Sequence, residues 1–353
     1  MNITFLVGNG FDLRLGMKTR FTDMYEGYIV QGSASDAIRR FKEMLKVDAP
    51  NYKTWGDFEM AMAEKAKEFD DEDSFIECLR DFKLYMVSHL ESEQTQFNQR
   101  MSVHRDFKGY CIDEVSISID KFYTGLRPNV INEFVRLGVT NKPEYNFISF
   151  NYTIVFDSLL DVYKQAPIHI HGKLGADVVL GADNLEQVKD LPYKTSRRFY
   201  RAFIKPEFNK SYDYARLEKA GDILNSSNII CIYGMSLGKS DLSWTKRLKN
   251  WLLARKDNHL VYFVYDESKF NKSNWDAIID EEEKRIATLL GRICDSSEEM
   301  DKVFNQIHIP VGYDIFNIDE LLKSKKKNMD EEKRKKEEIS RRLAESKAHL
   351  RGL

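Results

Sequence analysis

Short runs of consecutive apolar residues recur along the chain, and each ends in small or polar residues. The first covers residues 3–7 and leads into Gly8-Asn9-Gly10. Uninterrupted apolar runs are typical of strands that are buried on both faces of a parallel sheet. The later runs are "NFISF" before Asn151, "IHIH" before Gly172, "NIICIYG" ending at Gly234, "HLVYFVY" ending at Asp266 and "DVVLGADN" around Gly181. The pattern predicts a Rossmann-like, open α/β sheet of parallel strands, with a ligand edge where the strands end.

Between residues 28 and 121 the apolar positions change to a helical period, and strand-like runs are scarce. In "SFIECLRDFKLYMVSHL", five apolar residues recur at helical spacing, and Ser74 is placed as the N-cap. These five are Phe75, Leu79, Phe82, Met86 and Leu90. We therefore predict a large helical insertion over residues 29–121, directly after the first βα unit and covering the ligand edge. Residues 1–28 and 122–318 would then form the nucleotide-binding domain.

The last segment, residues 319–353, is dominated by charged side chains. Ile339, Leu343 and Leu350 share one helical face, and opposite charges four residues apart, such as Glu331 and Lys335, support a helix. The segment is predicted to be a charged C-terminal helix or tail that is either solvated or docked on a partner.

Composition narrows the functional classes. The 353 residues include 54 basic and 56 acidic side chains, so bulk charge predicts neither nucleic-acid nor membrane affinity. The four cysteines are far apart and form no C-x-x-C pair, which indicates neither a disulfide framework nor a thiolate zinc site. No apolar stretch approaches the roughly 20 residues needed to span a bilayer, and no leader is evident. We expect a cytoplasmic protein without a metal.

The turn after the first strand carries the first candidate chemistry. Gly8 lets the chain leave the strand sharply, and Gly10 lets backbone amides approach a phosphate, with Asp12 just beyond. The third glycine of the full dinucleotide fingerprint would fall at Leu13 and is absent. The turn is therefore either a nucleotide site or simply a tight βα connection.

Asn151 and His171 also follow apolar runs and are the second and third candidates. The Asn151 carboxamide could hold a ribose hydroxyl or a water, or it could merely cap a helix starting near Thr153. His169 and His171 alternate with isoleucines and are predicted to share a face, but no further ligand at suitable spacing supports a metal site. His171 is either a structural histidine or a general base at the ligand edge.

Two further segments have alternative interpretations. In "IYGMSLGKSD", Gly234 and Ser236 are expected to lie against a ligand, whereas Asp241 is expected to cap the next helix. A cluster of basic residues within "KTSRRFYRAFIK" either grips phosphates or forms the wet face of an amphipathic helix. The cluster consists of Lys194, Arg197, Arg198, Arg201 and Lys205.

The order of these motifs resembles two known groups. A G-x-G turn after the first strand, then strand-Asn, strand-His-Gly and strand-Gly-x-Ser, resembles the sirtuin-type NAD-binding fold. More narrowly, the chain looks like the bacterial AbiH-type abortive-infection proteins from residue 1 to about 265. The motifs that carry this likeness are "VGNGFDLRLGMKTRFTDM", "WGDFE", "FNYT", "IHIHGKL" and "YGMSLGKSD".

The resemblance implies a role for each matching residue. It places Gly8, Asn9, Gly10 and Asp12 at the phosphate and ribose of a nucleotide, with Phe11 in the same cofactor-binding turn, and the cofactor that it implies is NAD. It places Asn151 and His171 at the reacting sugar, and Gly234 and Ser236 in the loop over the adenosine half. The chain departs from the sirtuin pattern in two ways. It lacks the four-cysteine zinc ribbon of protein-deacylating sirtuins, which disfavours lysine deacylation. After the second glycine of the turn, where sirtuins usually have a small residue, it has the bulkier Phe11.

Three functions are consistent with these residues. The first is hydrolysis of NAD at the nicotinamide–ribose bond in antiphage defence, with Asn151, His171 and Asp12 as catalytic residues. The second is a nucleotide-sensing or assembly module without turnover. The third is a metal-dependent nuclease that uses carboxylates such as Asp57 and Glu59. The candidate partners are NAD or a related nucleotide, a phage-derived trigger, a second copy of the chain or a defence partner protein, but no membrane.

Overall fold

The computed structural model describes residues 1–47, 58–69, 71–103, 105–188, 191–264, 274–318 and 334. Six strands form one sheet in the order β3-β2-β1-β4-β5-β6, and every neighbouring pair is parallel. The strands are β1 (Asn2–Val7), β2 (Glu144–Ser149), β3 (Ile168–His169), β4 (Ile229–Tyr233), β5 (His259–Phe263) and β6 (Ile307–His308). The predicted open parallel α/β sheet is thus confirmed.

Strand β1 lies in the interior of the sheet. Its neighbours are β2 and β4, and Phe5 lies in register with Phe147 on one side and Cys231 on the other. All three side chains are buried, as continuous apolar runs predict for strands covered on both faces. The strand order reverses direction between β1 and β4, so a crevice opens where these two strands end.

Helices fill the connections between the strands. Within the described residues, α1 to α7 lie between β1 and β2, and α8 to α14 follow β2. Their bounds are α1 (Gly10–Arg14), α2 (Phe21–Ile29), α3 (Asp36–Val47), α4 (Phe58–Lys65), α5 (Glu72–Val103), α6 (Arg105–Asp120), α7 (Pro128–Leu137), α8 (Val155–Leu159), α9 (Arg197–Phe203), α10 (Lys205–Tyr212), α11 (Tyr214–Ser226), α12 (Leu242–Ala254), α13 (Trp275–Ile293) and α14 (Ser297–Val303). None of the described helices is long and apolar enough to cross a membrane.

Apolar side chains gather in three clusters. Two of them cover the two faces of the sheet. The third joins helices α2 to α5 to residues 174–204, and we call this part the helical cap. The five predicted apolar positions of α5 are all buried in the cap, whereas Phe97 and Met101 near the end of α5 pack against the sheet. The long helix therefore ties the cap to the sheet.

Several details differ from the sequence predictions. The run around Gly181 is not a strand, because it makes only two isolated bridges, one between Gly172 and Val178 and one between Ala182 and Ile204. The sixth strand, β6, was not predicted. Helix α5 begins at Glu72, and Asp71 accepts the hydrogen bond from the Ser74 amide at 2.8 Å, so Asp71 and not Ser74 caps it.

Some predictions are not settled by the described residues. Asp266 and all of the 319–353 tail except Arg334 lie outside them. The helices between β1 and β2 occupy the region predicted as an insertion, but its boundaries at residues 29 and 121 stay a prediction.

Candidate functional site

A cavity of about 580 Å³ lies at the carboxyl ends of β1, β2 and β4, and we call it the edge cavity. The helical cap forms its opposite wall, through residues of α2, α4 and α5 such as Met24, Glu59 and Met86. Eight of the nine predicted site residues line it, namely Gly8, Asn9, Gly10, Asp12, Asn151, His171, Gly234 and Ser236. Residues distant in sequence converge because parallel strands end at one edge.

Phe11 is the predicted residue that does not line the edge cavity. Its ring is fully buried in the core below the sheet and makes edge-on contacts with Phe156 and Phe316, at centroid distances of 4.9 and 5.3 Å. Its amide donates to the Gly8 carbonyl at 3.0 Å. Phe11 anchors α1 in the core, so the bulky side chain after the second glycine points away from any ligand.

The glycines of the first turn have a structural reason of their own. The Gly10 amide donates to the Gly234 carbonyl at 2.9 Å, and a Cβ added to Gly10 would lie 2.4 Å from the Gly234 Cα. Gly234 has φ of +69°, a left-handed conformation that favours glycine. The β1 and β4 loops therefore pack backbone against backbone, and a phosphate could not use the Gly10 amide while this bond persists.

Asn9 fastens the first turn to the segment that enters the cap. Its side-chain amide donates to the Thr19 carbonyl at 3.0 Å, and the Thr19 hydroxyl donates to its Oδ1. These bonds occupy the Asn9 carboxamide. They hold the start of α2 over the edge cavity.

Asp12 is a buried carboxyl at the floor of the edge cavity, with only 1% of its surface exposed. Burial raises its pKa to about 7, although a hydrogen bond from Thr153, the nearby Asn151 carboxamide and the charge of His169 act in the opposite direction. Thr153 donates to Oδ2 at 2.7 Å, whereas Oδ1 has no hydrogen-bond partner among the described residues. Such a carboxyl can take up or release a proton near neutral pH.

Asn151 carries the clearest sign of a ligand site. It is only 4% exposed and lies close enough to Asp12 to lower the pKa of that carboxyl, but among the described residues neither its Oδ1 nor its Nδ2 makes a hydrogen bond of standard geometry. The alternative role as a helix cap is not seen, because α8 begins at Val155 with Ile154 as its N-cap. Buried carboxamides are almost always satisfied by protein, water or ligand, so this one is available to a molecule in the edge cavity.

His169 fixes the backbone on which Asn151 is presented. Its Nδ1 lies 2.9 Å from the Asn151 carbonyl oxygen and its Nε2 lies 3.0 Å from Asp157 Oδ2. Both partners are acceptors, so a ring nitrogen that carries a proton can donate to the partner that it faces. His171 instead lies beyond the end of β3 and lines the edge cavity. The two histidines thus have different partners.

His171 belongs to a buried chain of ionisable side chains that we call the relay, made of His171, Asp241, Lys205 and Glu59. His171 Nε2 lies 3.2 Å from Asp241 Oδ1, and Lys205 Nζ lies 3.3 Å from the same Asp241 oxygen and 2.6 Å from Glu59 Oε2. Glu59 Oε1 also accepts the Gly181 amide at 3.1 Å. The relay therefore joins α4 of the cap to the sheet edge.

The electrostatics of the relay set the protonation of His171. Burial and the Lys205 charge lower the pKa of His171, and Asp241 only partly offsets them. Burial opposes ionisation of Asp241, but Lys205 and His171 hold the Asp241 pKa far below its ordinary value. The pKa of Lys205 is raised, since its two carboxylate partners outweigh burial. At neutral pH the imidazole is neutral and faces an anionic Asp241.

The sequence did not predict that Glu59, Lys205 and Asp241 meet in this relay. Asp241 was expected to cap α12, but its side chain makes no capping hydrogen bond and turns to His171 and Lys205. The sequence places Lys205 in a basic cluster that either contacts phosphates or forms the wet face of an amphipathic helix, but Lys205 is only 4% exposed and pairs with two carboxylates. The available signal was an acid five residues after the serine of a strand-Gly-x-Ser motif.

Of the two carboxylates considered for a nuclease, Asp57 and Glu59, the structure describes only Glu59. Glu59 is held by Lys205, and Asp57 lies outside the described residues. Within the described part of the chain, no group of three or more His, Cys, Asp or Glu side chains is arranged to hold a metal ion.

Comparison with known proteins agrees with the motifs. No curated protein and no solved structure matches the chain. A family model described as "Bacteriophage abortive infection AbiH" matches residues 4–265, a range that contains most of β1, all of β2 to β5 and every residue of the relay. Because this match covers well over half of the 353 residues, the chain belongs to the bacteriophage abortive infection AbiH family.

Proposed function

We propose that the protein binds NAD in the edge cavity and hydrolyses the bond between nicotinamide and ribose. Membership of the AbiH family implies a role in abortive infection by bacteriophage. Removal of NAD would arrest the metabolism of an infected cell, so this single reaction would account for such a role.

The observation that carries the proposal is the pair formed by Asn151 and Asp12. Three of their side-chain polar atoms are buried at the edge cavity without hydrogen-bond partners among the described residues. Leaving buried polar atoms unsatisfied costs about 1–3 kcal/mol each, so they are expected to meet a polar ligand. The cavity volume is within the range of about 300–1,000 Å³ that is usual for small-molecule and cofactor sites.

The position of the edge cavity supports a nucleotide. It opens beside β1 and β4, where the strand order reverses, and this is where open parallel sheets of this order bind dinucleotides. The resemblance to the sirtuin-type fold points to NAD among the dinucleotides. Asn151 and His171, which that resemblance assigns to the reacting sugar, both line the cavity.

The reaction breaks one bond and forms one. The bond between ribose C1′ and the nicotinamide nitrogen breaks, and its electron pair leaves with nicotinamide, which becomes neutral. The oxygen of a water forms the new bond to C1′, and one proton of that water must be removed. The sugar passes through an oxocarbenium-like transition state, so an anion beside it lowers the barrier.

The residues of the site have distinct roles in this scheme. The carboxamide of Asn151 orients the water and the ribose hydroxyls, and ionised Asp12 stabilises the developing positive charge. His171 removes the proton from the water. When its Nε2–H donates to Asp241, its Nδ1 holds the free electron pair, and the lowered pKa keeps the ring neutral and ready to accept a proton.

The test is incubation of purified protein with NAD, with nicotinamide release followed by chromatography, in the presence and absence of a lysate of phage-infected cells. Loss of a general base reduces turnover by about 10²- to 10⁴-fold, so His171→Ala should lose release to that extent. The matched control is His89→Ala, because His89 contacts the Lys18 carbonyl and does not line the edge cavity. Equal release by wild type and His171→Ala would contradict the assigned base.

A different outcome would favour the alternative module. Stoichiometric binding of NAD, measured by calorimetry, without nicotinamide release under either condition would indicate that the edge cavity senses a nucleotide instead of consuming it. Absence of both binding and release would remove NAD as the ligand.

A further inference from the structure

A second cavity of about 360 Å³ lies between α5, α9 and α10 on the helical cap, away from the residues of the edge cavity. We call it the basic groove. Its charged lining residues are all cations, namely Arg80, Lys83, Arg198 and Arg201. For a chain with a formal net charge of −2, this is a marked local concentration of positive charge.

Most of these cations are not neutralised by the protein. Arg198 forms an ion pair with Asp73. Arg80, Lys83 and Arg201 form no ion pair with any residue in the described part of the chain, although carboxylates of Glu77 and Asp81 line an adjoining depression. Burial lowers the pKa of Lys83, and the charge of Asp177, which forms its ion pair with Arg216, only partly offsets this effect. An anionic ligand would supply the missing counter-charge.

Helix α9 presents these arginines because it is amphipathic. Phe199 and Phe203 are buried in the cap core, whereas Arg198 and Arg201 are exposed on the other face. The basic cluster predicted from the sequence is therefore divided, because the Lys205 side chain is buried in the relay whereas Arg198 and Arg201 lie on the surface of the cap. Two cations of α5, Arg80 and Lys83, complete the groove from a distant part of the chain.

Aromatic side chains form one wall of the basic groove. The rings of Phe208 and Tyr212 stack at a centroid distance of 5.6 Å with an interplanar angle of 27°, and Lys83 Nζ lies 5.4 Å from the centre of the Phe208 ring. Tyr212 is 65% exposed, so its outer face is open to a planar ligand. Cations beside an exposed aromatic surface are the combination that binds unpaired nucleotides, through phosphate contacts and base stacking.

We infer that the basic groove binds single-stranded nucleic acid. The arginines and Lys83 would contact the phosphates, and Tyr212 would stack on a base. A base within a duplex is already stacked on its neighbours and is not free to do so, which favours a single strand over a duplex. The inference does not depend on the reaction proposed for the edge cavity, because the residues that line the two cavities are different.

The test is fluorescence anisotropy with full-length protein and a fluorescein-labelled 12-nucleotide oligothymidine, at several salt concentrations. For a single strand, the slope of log K against log salt is about −0.7 per phosphate contact, so four contacts predict a slope near −3. The double variant Arg80→Gln/Arg201→Gln should weaken binding and bring the slope to roughly half of that value. The matched control is Arg136→Gln/Lys219→Gln, which removes two exposed cations outside the groove.

The stacking contact is tested separately. Tyr212→Ala should weaken binding of the oligothymidine by about tenfold or more, whereas Tyr212→Phe keeps the ring and should bind as wild type does. Because Tyr212 is exposed, both variants are expected to fold, and their thermal unfolding is measured as a check.

Four outcomes would overturn the inference. They are no binding of the oligothymidine, equal loss in the groove and control variants, equal affinity for a duplex of the same length, or full competition by pyrophosphate at the same concentration of phosphate groups. The last result would identify a pocket for small anions.

Discussion

Asp12 offers a test of the edge cavity, because its buried position predicts how the free energy of unfolding depends on pH. The carboxyl is 1% exposed, and its pKa is raised from 3.8 to about 7 chiefly by burial. The perturbation is Asp12→Asn, which keeps the shape of the side chain and an oxygen to accept the Thr153 hydrogen bond, and removes the charge at every pH.

The sign follows from the direction of the shift. In the unfolded chain the carboxyl ionises above about pH 4, whereas in the folded protein it keeps its proton until about pH 7. Folding is therefore opposed by this group increasingly as the pH rises from 4 to 7, and the full effect is present above pH 7. Since one pKa unit is worth about 1.4 kcal/mol, ionised Asp12 lowers the free energy of unfolding by roughly 4 kcal/mol at pH 8.

The assay is urea denaturation of wild type and Asp12→Asn at pH 5 and pH 8. The advantage of the variant in free energy of unfolding should grow by about 2–3 kcal/mol between these two pH values. Asp222→Asn, at an exposed position on α11, is the control and should follow the wild type. A constant difference between Asp12→Asn and wild type over this range would refute the reasoning, since the carboxyl would then not carry a raised pKa.

The same variant bears on the proposed reaction. If ionised Asp12 stabilises the transition state, nicotinamide release by the wild type should rise with pH through about 7, and Asp12→Asn should lose most of the activity while being more stable at pH 8. Greater stability with lower activity distinguishes a functional carboxyl from a structural one.

Further predictions concern the relay and the glycine contact. Lys205→Met leaves two buried carboxylates without their cation and should lower the free energy of unfolding by about 3–5 kcal/mol. The control is Lys302→Met, which removes an exposed ion pair and should have no resolvable effect. Similar urea denaturation curves for the two variants would contradict the buried ion pair. Gly10→Ala places a methyl group against the Gly234 backbone and should be destabilising by about 1–3 kcal/mol. Gly109→Ala, in a helix with open space around the new methyl group, is the control and should be neutral or stabilising. Both are measured by thermal unfolding, and equal effects would contradict the close approach of Gly10 to Gly234.

Much of the site could be predicted because the sheet is parallel. Residues that directly follow buried strands, such as Gly8, Asn151 and Gly234, are brought to one edge by strand order alone, and all three line the edge cavity. His171 was placed correctly at this edge although β3 itself ends at His169. The apolar face of α5 was also predictable, since its helical period is continuous over several turns.

The relay could not be predicted from local patterns. Glu59 and Lys205 are 146 positions apart, and Lys205 and Asp241 are 36 apart. From local patterns, Asp241 was a candidate helix cap, Lys205 a member of a basic cluster and Glu59 a possible nuclease carboxylate. Only the packing of the cap against the sheet brings the three side chains together. Phe11 was assigned to the binding turn by its position, yet the core below the sheet takes up its ring.

The sequence by itself therefore determined five of the six strands, their parallel arrangement and most of the residues at the sheet edge, because these depend on the period of apolar residues and on where each run ends. Only the tertiary structure decided which side chains meet there in a particular protonation state. The reason is physical: the pKa of Asp12, the neutral ring of His171 and the charge of Lys205 are set by burial and by partners that the chain supplies from distant segments.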